Sequence, residues 1–266
     1  MALPSPVTLA LTVHQPDERL VPLMEEHLSG LVARYAAATA FCSPETRPVI
    51  LDLLRRQGVA VRVSDVGAGG IYDIGRVRRE TIHLGLQANT SHLQMCDFDR
   101  ALHWNACQPQ ELEQVIALIP GYDLLVLGRT ERAWRSHPPY QAETERLFNK
   151  VFALVSGRSW DVGAGSRGLS RRAAETLLHV STEETVGVDA EWPLLLLNCE
   201  GFTVGHRPCE GLEFETADRF GAEIEAAGGY RDWEAQMSAD PQHWVSRIEI
   251  ALLIARAAVR YGSRED

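Results

Sequence analysis

Ser91-His92-Leu93-Gln94-Met95-Cys96-Asp97-Phe98-Asp99-Arg100 is an apolar run that ends in two aspartates one residue apart. Read as a buried strand, Ser91 to Cys96 delivers both carboxylates to the carboxyl edge of a sheet, where an open α/β fold places its ligand site. A pair of carboxylates there is a hard oxygen pocket suited to Mg²⁺ or Mn²⁺, and such a cation can bridge to a substrate diphosphate. Asp-x-Asp also arises by chance, and a loop or a helix cap is the ordinary reading of one instance. The sequence on either side therefore has to decide.

Upstream, apolar runs alternate with helical patterns. Val7 to Val13 reads as a strand, Asp17 to Tyr35 as an amphipathic helix, Ala36 to Cys42 as a strand and Pro44 to Gln57 as a helix stopped by Gly58. Val59 to Val63 is a third strand, and Gly75 to Leu86 is helical before the strand that ends in the aspartates. That succession is β-α-β-α-β-α-β, the pattern of a parallel sheet covered on both faces. Downstream come a helix led by Pro109, the strand Tyr122 to Leu127, a helix from Tyr140 to Val155 and a glycine-rich turn from Asp161 to Gly168. Helices near Ser170 to His179 and Glu191 to Leu197, a strand near Phe202 to His206 and a helix from Pro241 to Tyr261 follow. The pentapeptide Asp-Val-Gly-Ala-Gly at Asp65 and again at Asp161 has different flanks and is not a repeat.

With 266 residues, 45% of them hydrophobic and 23% charged, the chain can bury a large core as one α/β domain. Its net charge of -10 disfavours a nucleic-acid partner and an anionic membrane surface. The five cysteines are odd in number and lack a Cys-x-x-Cys pair, so neither a disulfide framework nor a zinc site is indicated, and a reducing cytoplasm is expected. The opening Met1 to Pro6 has no positive region of an export signal, and no uncharged apolar run is long enough to span a bilayer.

The order of strand, Asp97-Phe98-Asp99, helix from Pro109, strand Asp123 to Arg129, long helix with Arg146-Leu-Phe-Asn149 and then Asp161-Val-Gly-Ala-Gly-Ser-Arg-Gly-Leu-Ser-Arg171 resembles the GT-A glycosyltransferases. It is most similar to the family 2 type that includes dolichol-phosphate-mannose synthases, over roughly Val7 to Pro208. The resemblance implies a three-layer α/β sandwich with a mostly parallel, mixed sheet. In one domain over 1–266 it implies a nucleotide-binding half (1–108), an acceptor half (109–210) and a C-terminal helical extension (211–266). It further implies a Mg²⁺ or Mn²⁺ ion, a UDP- or GDP-linked sugar donor and transfer of a hexosyl group. With no Gln-x-x-Arg-Trp motif of the processive synthases and no membrane helix to serve a lipid acceptor, a soluble or peripheral acceptor is expected, and a homodimer is left open.

Cleaving the bond from sugar to nucleoside diphosphate builds charge on the leaving phosphate, which a metal held by Asp99, with Asp97 on ribose or metal, would offset. By the resemblance, Asp189 is the first choice for the base that takes the acceptor's proton and Glu191 the second; equally, Asp189 can cap the helix that follows and Glu191 favour its first turn. Asp161 and Gly163 would line the donor sugar or acceptor, though a glycine-rich connection into a helix capped by Ser170 needs no ligand. His206 stands where some retaining relatives, such as glucosyl-3-phosphoglycerate and mannosylglycerate synthases, place a further metal ligand; a lone histidine is also commonly a packed residue. Arg76, with Arg78 and Arg79, could meet the diphosphate, and a solvated helix face explains the same cluster.

Two turns depart from the family pattern. His14-Gln15-Pro16-Asp17-Glu18 replaces the Asn-Glu or Asp-Glu turn after the first strand, with Asp17 or Glu18 as substitute, and Cys42-Ser43-Pro44-Glu45 replaces an Asp-Asp-type turn that reads the base, leaving Glu45 nearby. A nucleotidyltransferase is an alternative on a similar fold, although His14 to Glu18 contains neither Gly nor Lys. A catalytically degenerate nucleotide- or sugar-binding protein is the other.

Overall fold

A computed structural model describes residues 6–262, so the reading of Met1 to Ser5 lies outside the described residues. The first half follows the expected alternation: β1 (Val7–Val13), α1 (Val21–Val32), β2 (Ala37–Cys42), α2 (Pro48–Arg56), β3 (Ala60–Val63), α3 (Ile74–Leu86) and β4 (His92–Asp97). Both α1 and α2 start later than the sequence patterns suggest. Each has a proline in its first turn, where the missing N–H costs no intrahelical bond.

After β4 the chain enters α4 (Phe98–Cys107) directly, and Pro109 then opens α5 (Pro109–Leu118). The second half continues with β5 (Leu124–Arg129), α6 (Glu131–Arg135), α7 (Pro139–Ser156), β6 (Ser166–Ser170), α8 (Arg171–Val180), α9 (Val188–Asn198) and β7 (Val204–Cys209). It ends with α10 (Gly221–Ala226), α11 (Tyr230–Ala239) and α12 (Pro241–Gly262). The short helices α6, α10 and α11 were not expected, and two further features correct the sequence reading. No helix was expected over Phe98 to Cys107, and Ser166 to Gly168, expected as turn, belongs to a fully buried strand.

The described strands form one seven-stranded sheet in the order β3-β2-β1-β4-β6-β5-β7. Only β6 runs antiparallel to its neighbours, pairing Met95 with Arg167 on one side and Val126 with Arg167 on the other. The sheet is therefore mixed and mostly parallel, as expected. Central strands are apolar on both faces. Leu9 and Leu11 of β1 pack with α1, α2, α4 and α5, whereas Leu93 and Met95 of β4 pack with α3, α7, α8, α9 and α12. The edge strand β7 accommodates Pro208, whose lack of an N–H is harmless there.

This topology brings the carboxyl ends of β1, β2, β3 and β4 to one edge. The antiparallel β6 delivers the loop before it, Asp161 to Gly165, to that same edge.

Candidate active site

A cleft of about 740 Å³ opens at that edge. Thr12, His14 and Gln15 reach it from the end of β1, Ser43 and Glu45 from β2, Ser64 from β3 and Asp97 with Asp99 from β4. The opposite wall contains Gln141 and Glu145 of α7, Gly163, Asp189 of α9, Glu215 and Arg247 of α12.

Asp97 ends β4 and stands at the N-cap of α4, while Asp99 lies in that helix's first turn, where the positive end of the helix favours an anion. Thr12 donates its hydroxyl to one Asp97 oxygen at 2.6 Å, and Arg78 stands 3.9 Å from the other. Gly165 backs the pair. Its φ of 65° is left-handed, and a Cβ there would collide with the Asp97 carboxylate, so the position fits glycine on both counts. Burial pushes the Asp99 carboxyl up to about 6, with Glu215 and Asp97 adding to the rise and Arg100 opposing it. Asp97 and Asp99 offer the all-oxygen donors that a hard divalent cation takes, and both line the cleft beside Glu215.

Buried cations complete the floor. Arg100 donates to Glu215 at 2.9 Å, yet its Nε and Nη1 and the second Glu215 oxygen have no partner among the described residues. Arg78 is 5% exposed, which overturns the solvated-face reading for that residue. It pairs with Asp189, as does Arg167 of β6 at 2.6 Å. Burial lowers the pKa of Arg167, and the neighbouring Arg78 lowers it further, so Asp189 is the anion that lets two guanidinium groups sit side by side. Arg76 also reaches the cleft, held by both oxygens of Asp73 at 2.8 and 2.6 Å.

Other expected site residues are engaged elsewhere. Glu191 is fully buried and accepts from the Ser181 hydroxyl and the backbone N–H groups of Thr182 and Glu183, which ties down the loop before α9 and leaves no access to an acceptor. Asp161 accepts from the Arg129 backbone at 2.9 Å, from its guanidinium at 2.7 Å and from Asn149 at 3.0 Å. Burial raises its carboxyl, but the Arg129 charge and hydrogen bonds prevail and hold it far below the usual carboxylate range. It anchors the end of β5 and does not line the cleft, whereas Gly163 two residues on does. His206 stacks on Trp160 at 5.7 Å, and its Nε2 accepts from the Asp161 N–H at 3.4 Å. It lies on β7 away from the Asp97–Asp99 pair, so the expected third metal ligand is not at this site. Asp17 does not itself line the cleft but accepts at 3.0 Å from Arg219, which does, while Glu45 lines it and accepts from the Ala68 N–H at 3.2 Å.

The two unusual turns meet one another. His14 Nδ1 lies 2.8 Å from the Ser43 hydroxyl, so the segments that depart from the family pattern form one wall of the same cleft. Sequence reasoning missed Arg100, Arg167 and Glu215. A basic residue one position after Asp99 was the sole local signal for any of them.

No protein-family model matches the chain, and no curated protein matches it significantly in sequence. Solved structures do. Glucosyl-3-phosphoglycerate synthase from Mycobacterium tuberculosis, in complex with Mn²⁺, UDP and phosphoglyceric acid, is similar at a TM-score of 0.53 and 10% identity, over 75% of this chain and 67% of that one. In its complex with Mn²⁺, UDP and glucosyl-3-phosphoglycerate, that synthase is similar at 0.53 and 11%, over 91% and 80% of the two chains. A further structure of the synthase gives 0.51 and 11%, over 84% and 81%. The fold is thus that of the GT-A glycosyltransferases.

Proposed function

We propose that this protein is a metal-dependent glycosyltransferase that takes a sugar, most simply a hexose, from a UDP- or GDP-linked donor to a soluble or peripheral acceptor. The observation that carries this reading is the convergence of Asp97, Asp99, Glu215 and the partly unpaired Arg100 at the floor of a 740 Å³ cleft built from four strand ends. The likeness to a synthase described with Mn²⁺ and UDP is consistent with it.

On this reading the nucleoside lies along the wall of His14, Ser43 and Glu45, and the diphosphate lies over Asp97 and Asp99. Asp97 and Asp99 would hold a divalent cation there, whose charge would stabilise the departing diphosphate. The chain's own share is to hold that charge in place. Thr12 orients Asp97, the end of α4 favours Asp99 as an anion, and guanidinium donors of Arg100 and Arg76 match phosphate oxygens. Glu191 is withdrawn as a base, and Asp189 acts as a positioning residue for Arg78 and Arg167 rather than as a proton acceptor.

That engagement of Asp189 also favours a second reading, a nucleotide- or sugar-binding protein without turnover. Release of nucleoside diphosphate from UDP- and GDP-sugars, with Mn²⁺ or with chelator, separates the two. Metal-dependent release that D99N abolishes supports the transferase; binding without release under any acceptor supports the second reading. Failure of both binding and release removes nucleotide sugars from the account.

A further inference from the structure

Behind the cleft floor, on the far part of α4, His103 and Cys107 stand one helical turn apart and so share a face. Glu213, from the segment that follows β7, comes to the same point: His103 Nε2 is 3.3 Å from Cys107 Sγ and 3.6 Å from Glu213 Oε1. Each of the other polar atoms on these ligands is already occupied. Asp218 takes the opposite ring nitrogen of His103 at 2.7 Å, and Arg132 takes the second Glu213 oxygen at 2.7 Å. Among the described residues, this is the group in which three histidine, cysteine or acidic side chains bring ligand atoms within 4.8 Å of one another.

We propose that His103 Nε2, Cys107 Sγ and Glu213 Oε1 bind a Zn²⁺ ion, with a fourth position open to water. Zinc bonds of about 2.0–2.3 Å at a tetrahedral angle place neighbouring ligand atoms roughly 3.3–3.6 Å apart, and the Nε2–Sγ and Nε2–Oε1 separations of 3.3 and 3.6 Å lie in that range; Sγ also lies 3.7 Å from Nδ1, so the thiolate turns toward the Nε2 end of the ring on binding. A carboxylate on the far nitrogen of a ligating histidine fixes the tautomer that presents Nε2 and strengthens it as a donor, and Asp218 is in that position. The donor set of imidazole, thiolate and one carboxylate suits zinc, in contrast to the all-oxygen pair at Asp97 and Asp99. Cys107 binds as the thiolate and His103 as the neutral imidazole with its proton kept on Nδ1 toward Asp218, so the Sγ and Nε2 protons both pass to solvent.

The spacing of the cysteines alone did not indicate such a site, because one ligand comes from a segment more than a hundred residues away. The ion fastens α4, whose first turn carries Asp99 and Arg100, to the segment that carries Glu215. It is a second metal site, chemically distinct from the first.

Titration of the full chain with Co²⁺ alone tests this. One equivalent should give a thiolate-to-cobalt charge-transfer band that Zn²⁺ bleaches, that C107S abolishes and that D99N leaves intact. A missing band, or one that survives C107S, overturns the proposal. An independent reading uses the exposure of Cys107 and Cys199 in the wild-type protein. Zn²⁺ should slow alkylation of Cys107 at least tenfold relative to Cys199, with chelator restoring the rate; equal rates in both conditions overturn the site.

Discussion

Asp189 and Asp99 separate binding from architecture at the scale of single residues. Removing the Asp189 charge takes from the buried Arg167 its ion-pair partner and leaves Arg78 only the Asp97 carboxylate 3.9 Å away, and breaking one side of such a buried pair costs about 3–5 kcal/mol. D189N should therefore melt well below wild type, as calorimetry can show; an unchanged Tm with lost transfer would return Asp189 to the role of base. His137 contributes a pH dependence. Its Nδ1 engages the Ala133 carbonyl at 2.9 Å, and burial, with the charges of Arg129 and Arg100, holds it well below its ordinary value. The unfolded chain takes up a proton near about pH 6.5 that the native protein refuses, so this stabilisation is complete above that pH. It falls by about 1.4 kcal/mol per pH unit below it, until the native value is reached. Denaturant melts between pH 7 and 5 should show a shallower decline for H137Q; an identical slope would remove His137 as the source. Asp97, Asp99 and Arg76 could be found in the sequence because they lie beside a strand end or a helix start. Arg100, Arg167 and Glu215 could not, since each gains its role from a partner on a distant segment.

The alternation of apolar and helical periods made β1 to β4 legible, and the element boundaries moved by only a few residues where prolines set the first helical turn. Ser166 to Ser170 was illegible for a physical reason. Ser-Arg-Gly-Leu-Ser contains no β-branched or aromatic residue, and what makes it a strand is pairing on both sides with β4 and β5. Its arginine, which would read as solvent-facing, is 1% exposed because Asp189 lies against it. Similarly, α4 was hidden because Pro109 looked like the only helix start after the aspartates. The helix that follows β6 was legible through its cap: Ser170 accepts from the Ala173 N–H at 3.1 Å and donates to Asp123 at 2.7 Å. S170A should lower stability by about 1 kcal/mol, the usual loss for an N-cap serine, measured by denaturant unfolding. A neutral result would mean that the cap is redundant with the packing of α8.

Across the whole molecule, two apolar layers enclose a mixed sheet, and the described C-terminal helix α12 is part of one of them. Ala251, Ile254, Ala257 and Ala258 join Phe152 of α7 and Trp192 of α9 in a single cluster. Helix α12 is thus packed into the core, and its Arg247 lines the cleft. A chain ending at residue 240 should lose its cooperative thermal transition; a truncated protein that melts like the full chain would make α12 an accessory. The cleft, the carboxylate pair and the unpaired guanidinium donors together make a prediction that depends on all of them. A donor present at a hundred times its dissociation constant stabilises the native state by about 2.7 kcal/mol. For a chain of this size that raises Tm by roughly 5–10 °C. The most direct test is thermal unfolding of wild type and D99N with UDP-sugars and GDP-sugars, in Mn²⁺ and in chelator. A shift of that size for one nucleotide class, present with metal and absent with chelator or in D99N, is the predicted result. Equal shifts with and without metal, or a D99N protein that responds like wild type, would contradict a metal-dependent donor site at Asp97 and Asp99.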